Sequence, residues 1–327
     1  MKKYKLYGLG NALLDYEYKI NDQILKKLNQ EKGTMLLNEY DKHQLIHTTL
    51  KEMRPPEKIL PGGSVANSVY AMAQFGDSVC FTGKVSNDDS GKNFIDCLDK
   101  SGVKTHITQS SNNTSGECLV LVTPDNERTM NTYLGSSCTL NVDDVSLDCI
   151  KNSEYLLIEG YLVSSDNTLE VCIDSLKKAK ENNVKSIITL SDPNIVSIFR
   201  NNILKLFSQK SDILFCNEQE ALNFSQTTSL KAAKDFLKEI SEIIIITRGK
   251  KGVTCYANNE SFSVDGINVV SKDFTGAGDM FLGAFMHKFK SHNFLESLEF
   301  ANYCASKIIQ IYGAKFHNSA DYTKLIK

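Results

Sequence analysis

Apolar residues along the chain form two alternating kinds of segment. Short runs rich in β-branched and aromatic residues predict strands at 78–83, 154–159, 185–190, 213–216 and 242–247. Segments with apolar residues three and four positions apart predict helices at 64–76, 91–101, 168–182 and 230–240. Ser64 is predicted to cap the first of these helices. Strands that alternate with helices in this way predict a parallel sheet with helices on both faces.

Two segments depart from this alternation. In residues 14–20, apolar and charged residues alternate, which predicts a half-exposed strand. Residues 117–134 contain two strand-like runs around a polar turn at Asp125-Asn126, which predicts a β-hairpin. We therefore predict that residues 1–327 form a single domain in which about 12–38 and 115–134 build a small sheet. Such a sheet is expected to act as a lid over a site in the main sheet.

Composition excludes several classes of protein. The 37 basic and 39 acidic residues give a net charge of −2, so no global electrostatic attraction to nucleic acid or to an anionic membrane is expected. No apolar run approaches the roughly 18 residues of a transmembrane helix, and the N-terminus lacks the apolar core of a signal peptide. The nine cysteines contain no CxxC pair, which indicates reduced thiols. We therefore predict a cytoplasmic protein.

The most informative motif is DFTGAGD at 273–279, after a predicted strand at 268–270 and before a predicted helix. Its glycines let backbone N–H groups approach an anion, and the N-terminus of a helix adds partial positive charge. Asp279 in the first helical turn is placed to accept a proton from a hydroxyl that attacks phosphorus. The alternative is a glycine-rich turn with an ordinary aspartate at the start of a helix.

DFTGAGD and PGGSVANSVYAMAQFG at 61–76 together resemble the ribokinase-type, or phosphofructokinase-B, family of sugar and nucleoside kinases. The resemblance extends over nearly the whole chain. The strings GNALLD, PGGSVAN and ERTMNTYLGSS are most similar to adenosine kinase-like members. The resemblance implies an α/β fold of the ribokinase-like three-layer α/β/α type, with a mostly parallel central sheet and a small β-sheet lid.

The resemblance also implies roles for residues around the acceptor. Asp279 matches the family's catalytic base. The backbone N–H groups that bind the transferring phosphoryl group match Gly276, Ala277 and Gly278. The positions that match substrate-binding residues are Asn11, Asp15, Gly63, Ser64 and Asn67. A carboxylate such as Asp15 that accepts two sugar hydroxyls rejects analogues that lack one of them. The alternatives are a solvent-facing strand residue for Asp15 and ordinary strand–helix packing for the glycine motif.

The resemblance implies ATP and Mg²⁺ as cofactors and assigns further residues to them. Asn217 and Glu220 match an NxxE motif that organises Mg²⁺ and phosphates, with Glu220 the metal residue, through water. Residues that match ATP contacts are Thr247, Gly249 and Gly252 in a loop after a strand, and Arg128 as a phosphate clamp. The alternatives are a helix N-cap at Asn217, a plain turn at the loop and a surface arginine. A monovalent cation is not predicted, although Asp273 stands where some relatives border such a site.

The favoured activity is ATP-dependent phosphorylation of a hydroxymethyl group, with adenosine converted to AMP in purine salvage. Two alternatives stay open: a kinase for a free sugar such as ribose or fructose, and a catalytically silent protein that binds a sugar or nucleoside. The small-molecule acceptor is the expected partner, and a monomer and a lid-mediated homodimer are equally compatible. Apolar residues that would hold a flat base, or equally form the core of the lid, are Leu13, Met35, Leu119 and Leu134.

His43 and His47 are four positions apart, a spacing that places two imidazoles on one face of a helix. No HExxH motif surrounds them. We therefore predict a solvated helix face here rather than a pair of metal ligands.

Overall fold

The computed structural model describes residues 2–290, 293–316 and 318–326. Its strands are β1 (Tyr4–Leu9), β2 (Leu13–Lys19), β3 (Met35–Leu37), β4 (Lys58–Gly62), β5 (Val79–Ser86), β6 (Lys104–Ser110), β7 (Gly116–Val122), β8 (Arg128–Tyr133), β9 (Ser153–Glu159), β10 (Lys185–Thr189), β11 (Ser211–Asn217), β12 (Ser241–Thr247), β13 (Val253–Ala257) and β14 (Glu260–Val264). Its α-helices are α1 (Asp22–Lys27), α2 (Tyr40–Met53), α3 (Ser64–Gln74), α4 (Asp89–Lys100), α5 (Leu147–Lys151), α6 (Asp166–Glu181), α7 (Pro193–Ile198), α8 (Arg200–Leu206), α9 (Glu218–Ser225), α10 (Leu230–Lys238), α11 (Ala277–Lys288), α12 (Phe294–Ile308) and α13 (Ser319–Ile326). None of these helices is long and apolar enough to cross a membrane.

The larger sheet has nine strands in the order β14-β13-β12-β11-β10-β9-β1-β5-β6. From β12 to β6 every neighbouring pair is parallel, and β13 and β14 add an antiparallel edge. Along β12, Ile245 packs into one core and Ile244 and Ile246 into another on the opposite face of the sheet. Helices therefore cover both faces, which confirms the predicted α/β fold with a mostly parallel sheet.

The smaller sheet has five strands in the order β3-β8-β7-β2-β4. It draws on both segments that were assigned to it from the sequence, and also on β4, which the prediction had omitted. The predicted hairpin is present as the antiparallel pair β7 and β8. On its outer face, Leu119 packs with residues of α1 and α2, among them Leu25 and Leu50. Leu119 is therefore a core residue of this sheet, and its suggested contact with a flat base is wrong.

Three local predictions are also wrong. Residues 268–270 form no strand, and Val270 is 88% exposed. The N-cap of α3 is Gly63 rather than Ser64, which is the first helical residue. His43 and His47 are 0% and 1% exposed, so they do not lie on a solvated face. The small sheet covers that side of α2, and the predicted sheet did not reveal that this helix would pack against it.

Candidate active site

A cavity of about 520 Å³ lies between the small sheet and the carboxyl ends of the parallel strands. Its wall includes residues at or just beyond the ends of β1, β9, β10, β11 and β12, which is where open α/β sheets bind ligands. The structure brings thirteen of the predicted site residues to this one cavity: Asn11, Asp15, Gly63, Ser64, Asn67, Asn217, Glu220, Thr247, Gly249, Gly276, Ala277, Gly278 and Asp279. Gly252 and Arg128 are not in its lining.

Asp279 is fixed in the first turn of α11 by two side chains of α3. Ser64 Oγ donates to Asp279 Oδ1 at 2.6 Å, and Asn67 Nδ2 donates to Asp279 Oδ2 at 2.8 Å. Burial raises the pKa of Asp279, while the two hydrogen bonds and the nearby Lys315 ammonium offset part of that rise. A carboxylate that is held in place and has a raised pKa is suited to take a proton from a hydroxyl.

The loop before α11 presents backbone N–H groups at the positive end of the helix. Gly276 has φ +72°, and a Cβ there would lie 2.5 Å from Ala314 Cβ, so only glycine fits. The Ala277 N–H donates to Phe274 O at 3.2 Å, which leaves it less available to an anion than the sequence motif suggests. The first turn of any helix keeps N–H groups without helical partners, and in α11 this turn includes Gly278.

Glu159, at the end of β9, is a site residue that the sequence reasoning missed. It is 0% exposed, and its carboxylate accepts hydrogen bonds from Asn11 N at 2.9 Å, Asn11 Nδ2 at 2.8 Å and Val65 N at 2.9 Å. Burial raises its pKa to about 7 against those hydrogen bonds. Glu159 thus holds the chain after β1 against the start of α3. Its sequence signal was an acidic residue directly after the apolar run YLLI at 155–158.

Asp15 projects from β2 into the same cavity. Burial raises its pKa to about 7, although Lys315 and Arg128 act in the opposite direction. Lys315 is 7% exposed, donates to Pro61 O and carries a pKa lowered by burial. This buried lysine was also missed, because no periodic or motif signal separates it from the surface lysines.

Two adjacent glycines let the substrate-side loops approach each other. A Cβ on Gly62 would clash with the Asp15 carboxylate, and one on Gly63 would clash with Asn11 O. Gly63 also has φ +93°, which disfavours residues with a side chain. The PGG motif is therefore required by close packing around Asn11 and Asp15.

Asn217 and Glu220 form a capping box at the start of α9. Asn217 Oδ1 accepts from Glu220 N at 2.8 Å, and Glu220 accepts from Asn217 N at 2.9 Å and Asn217 Nδ2 at 2.6 Å. Burial raises the pKa of Glu220 to about 8. Asn217 is therefore a helix N-cap, which was the alternative to a role in the NxxE motif. Both residues also line the cavity.

Arg128 and Gly252 have structural partners away from the cavity. Arg128 Nη2 donates to Glu17 Oε2 at 2.7 Å, and its Nε lies 2.7 Å from Asp273 Oδ1. Gly252 has φ +85° in the turn before β13, and a Cβ there would clash with Val264 O. Arg128 thus joins the small sheet to the first residue of the DFTGAGD loop.

The cavity wall on the small-sheet side is mostly apolar. Its residues come from β2, β3, β7, β8 and the chain just after β8: Leu13, Met35, Leu37, Cys118, Met130, Thr132 and Leu134. Asp15 of β2 is the charged exception on this side, and further polar groups lie on the opposite side, around Asn11 and Asn67. The cavity therefore combines these polar groups with an apolar wall, which we call the apolar shelf.

Known proteins share this fold and about a quarter of this sequence. A 5-dehydro-2-deoxygluconokinase of Clostridium perfringens is 27% identical over 280 residues, 81% of this chain and 82% of that protein. An adenosine kinase of Dictyostelium discoideum is 25% identical over an alignment of 338 positions that covers 96% of this chain and 97% of that protein. The solved structure of adenosine kinase from Sinorhizobium meliloti superposes with a TM-score of 0.92 at 27% identity, covering 99% of this chain and 100% of the other.

The family of these kinases is also recognised directly in the sequence. The sequence model of the pfkB family carbohydrate kinases matches residues 41–321, which include the PGGSVAN and DFTGAGD motifs. This match confirms the resemblance that the two motifs indicated. The chain therefore belongs to the pfkB family of carbohydrate kinases and is an enzyme that phosphorylates a sugar or nucleoside.

Proposed function

We propose that the enzyme transfers the γ-phosphoryl group of ATP to the 5′-hydroxyl of adenosine or a closely related nucleoside, giving AMP and ADP. The observation that carries this proposal is the apolar shelf formed by residues such as Leu13, Met35 and Met130 beside the polar groups of the cavity. A purine ring buries its faces favourably on such a wall. A free sugar would turn hydroxyl groups toward it and leave them without hydrogen-bond partners.

Recognition of the ribose falls to the polar groups of the cavity. The Asp15 carboxylate accepts hydrogen bonds from the two ribose hydroxyls, and Glu159 holds Asn11 in the same cavity. Asn67 Oδ1 is buried without a hydrogen-bond partner and supplies a further acceptor. A site with such acceptors discriminates strongly against analogues that lack a hydroxyl, because the buried acceptor is then left unpaired.

Asp279 removes the proton from the attacking 5′-hydroxyl. Ser64 and Asn67 orient its carboxylate, and the N-terminus of α11 at Gly276 and Gly278 stabilises charge on the transferring phosphoryl. Mg²⁺ would neutralise charge on the ATP phosphates. Glu220, whose carboxylate is held by Asn217, would hold this ion through water. Thr247 and Gly249 bind ATP at the end of β12.

The small sheet acts as a lid. Its inner face forms the apolar shelf, so its approach to the main sheet excludes water that would otherwise accept the phosphoryl group. The enzyme works in purine salvage in a reducing, cytoplasmic setting, where its nine free cysteines persist as thiols.

The acceptor is identified by measuring ADP release with adenosine, ribose, fructose and 5-dehydro-2-deoxygluconate under identical conditions. We expect the highest kcat/KM with adenosine. An enzyme that phosphorylates one of the sugars but not adenosine would refute the nucleoside proposal.

Met35→Gln adds a polar group to the apolar shelf and should raise KM for adenosine more than tenfold. Met53→Gln, on an exposed side chain of α2, is the matched control.

Asp279→Asn tests the assignment of the base. Loss of a general base lowers rates by about 10²–10⁴-fold, so we expect ADP release to fall by that factor while adenosine binding persists. Turnover close to that of the wild type would show that Asp279 does not act as the base.

A further inference from the structure

Three side chains that commonly bind metal ions meet outside the cavity, on the outer face of the small sheet. His43 and His47 lie on α2, and Glu117 lies on β7. His47 Nδ1 is 3.1 Å and His43 Nε2 is 3.4 Å from the same oxygen, Glu117 Oε2. One ligand atom from each residue lies within 4.8 Å of both others.

The fold creates this cluster for definite reasons. Histidines four residues apart share a face of α2, and that face packs on the sheet that β7 and β8 build. Side chains alternate along β7, so Glu117 faces α2 while its neighbour Cys118 faces the cavity. The cluster is therefore separated from the substrate site by the thickness of one sheet.

The spacing of the ligand atoms suits a small divalent ion. Zinc binds histidine nitrogen and carboxylate oxygen at about 2.0–2.2 Å, which places neighbouring ligand atoms of a tetrahedral site about 3.3 Å apart. The distances from Glu117 Oε2 to the two imidazole nitrogens already have this length. The three ligand atoms therefore lie close enough together to share one ion.

Glu117 supplies the acidic oxygen ligand of the cluster. Its Oε2 is the atom that both imidazoles approach. Ser90 Oγ donates to its other oxygen at 3.2 Å, which leaves Oε2 oriented toward the imidazoles.

We propose that His43, His47 and Glu117 form a binding site for a divalent transition-metal ion such as Zn²⁺, which cross-links α2 to the small sheet. A water molecule takes the fourth position, as in open zinc sites. Imidazole ligands disfavour Mg²⁺, so this site does not compete for the magnesium of the kinase reaction.

The second nitrogen of each imidazole sets the strength of the site. His43 Nδ1 and His47 Nε2 are buried without hydrogen-bond partners. Metal-binding histidines usually donate this N–H to a carboxylate or carbonyl, and loss of such a partner weakens metal binding by about 10–100-fold. We therefore expect an affinity lower by that factor than that of a zinc site in which these groups are paired.

The experiment uses the full chain, freed of metal by a chelator and without nucleotide, titrated with Co²⁺ as a spectroscopic probe. We expect one Co²⁺ per chain with the visible absorption of four-coordinate nitrogen and oxygen ligation, displaced by Zn²⁺. His47→Gln and Glu117→Gln should each weaken binding at least about tenfold. His106→Gln, which replaces an exposed histidine of β6, should leave it unchanged.

Two outcomes would overturn the proposal. One is equal Co²⁺ binding by the wild type and both cluster variants. The other is an intense near-ultraviolet charge-transfer band, which marks coordination by one of the nine cysteine thiolates instead. Glu117→Gln keeps the size and an acceptor of the original side chain, so it provides the comparison if His47→Gln does not fold. Thermal unfolding gives a second readout: Zn²⁺ should raise Tm for the wild type and for His106→Gln only.

Discussion

Asn67 Nδ2 donates a hydrogen bond of 2.8 Å to Asp279 Oδ2, and Ser64 Oγ donates one of 2.6 Å to the other oxygen. The PGGSVAN and DFTGAGD motifs, more than 200 residues apart, therefore meet at a single carboxylate. The family resemblance assigned Ser64 and Asn67 to substrate binding, and Ser64 was also predicted to cap the helix. Their contacts with Asp279 add a positioning role, because both hydrogen bonds favour the ionised base.

Ser64→Ala should move the acidic limb of the kcat/KM profile to higher pH. The hydrogen bond from Ser64 lowers the pKa of Asp279, so its loss lets burial raise that pKa further. A hydrogen bond to a charged group contributes about 1.5–3 kcal/mol, and 1.36 kcal/mol corresponds to one pH unit, so the shift should be about one to two units.

The control for this profile is Ser68→Ala. Ser68 Oγ donates to the backbone oxygen of Asp279 rather than to its carboxylate, so this variant disturbs the same helix contact without changing the charge environment. We expect its acidic limb to coincide with that of the wild type. Coincident limbs for Ser64→Ala and the wild type would count against the positioning role.

Gly63→Ala should lower the free energy of unfolding more than Gly76→Ala does, although both glycines have similar positive φ angles of +93° and +96°. A Cβ at position 76 meets nothing within 4 Å, so its penalty is the conformational one, about 1–2 kcal/mol. A Cβ at position 63 clashes with the backbone oxygen of Asn11, which cannot move freely. Urea unfolding should show a larger loss for Gly63→Ala, and ADP release should fall only for that variant.

Much of the main sheet and of the candidate site could be predicted from the sequence. The alternation of strands and helices predicted the parallel sheet, because buried strands and amphipathic helices leave distinct local patterns. The motifs also identified thirteen residues that line one cavity in the folded protein. The strand β4 was missed because Pro55, Pro56 and Pro61 interrupt its neighbourhood, and its pairing with β2 is a long-range contact.

Buried polar residues were the other class that the sequence could not predict. Charged residues are normally exposed, so Lys315 carries no local sign of burial, and Glu159 carries only its position directly after an apolar run. Their environment arises only when distant segments pack together, as when Glu159 accepts hydrogen bonds from Asn11 and Val65. The same reason explains why His43 and His47 were predicted to be solvated: the sheet that covers them comes from other parts of the chain.

Arg128→Met should destabilise the ligand-free enzyme. Its guanidinium lies 2.7 Å from both Glu17 and Asp273, and their side chains are 8% and 1% exposed. Removal of the arginine leaves two buried carboxylates without their cation, a change that lowers the free energy of unfolding by about 3–5 kcal/mol. Urea unfolding without nucleotide measures this loss.

Arg54→Met is the matched control, because Arg54 is exposed and lies 3.9 Å from Glu57, so less than about 1 kcal/mol should be lost. If Arg128 served only as a phosphate clamp, its replacement would raise KM for ATP and leave the unfolding curve of the free enzyme unchanged. That result would exclude the structural role that its contacts indicate.

Stability of the ligand-free enzyme should fall as the pH rises from about 5 to 8. Burial raises the pKa of Asp15 and Glu159 to about 7 and that of Glu220 to about 8. The unfolded chain releases these protons near pH 4, so in this window the native state holds more protons and a rise in pH favours unfolding. Glu159→Gln removes one of the three groups, and the dependence of the unfolding free energy on pH should flatten by up to about 1.4 kcal/mol per pH unit between pH 5 and 7.

Glu154→Gln provides the comparison on the same strand, because Glu154 is exposed on β9 and should leave the slope unchanged. Urea unfolding at pH 5, 6, 7 and 8 measures all three proteins. Since Glu159 accepts three hydrogen bonds, Glu159→Gln will also lower stability at every pH, but that loss shifts the curve without changing its slope. Equal slopes for Glu159→Gln and the wild type would mean that Glu159 ionises in the native protein at its ordinary pKa, despite complete burial.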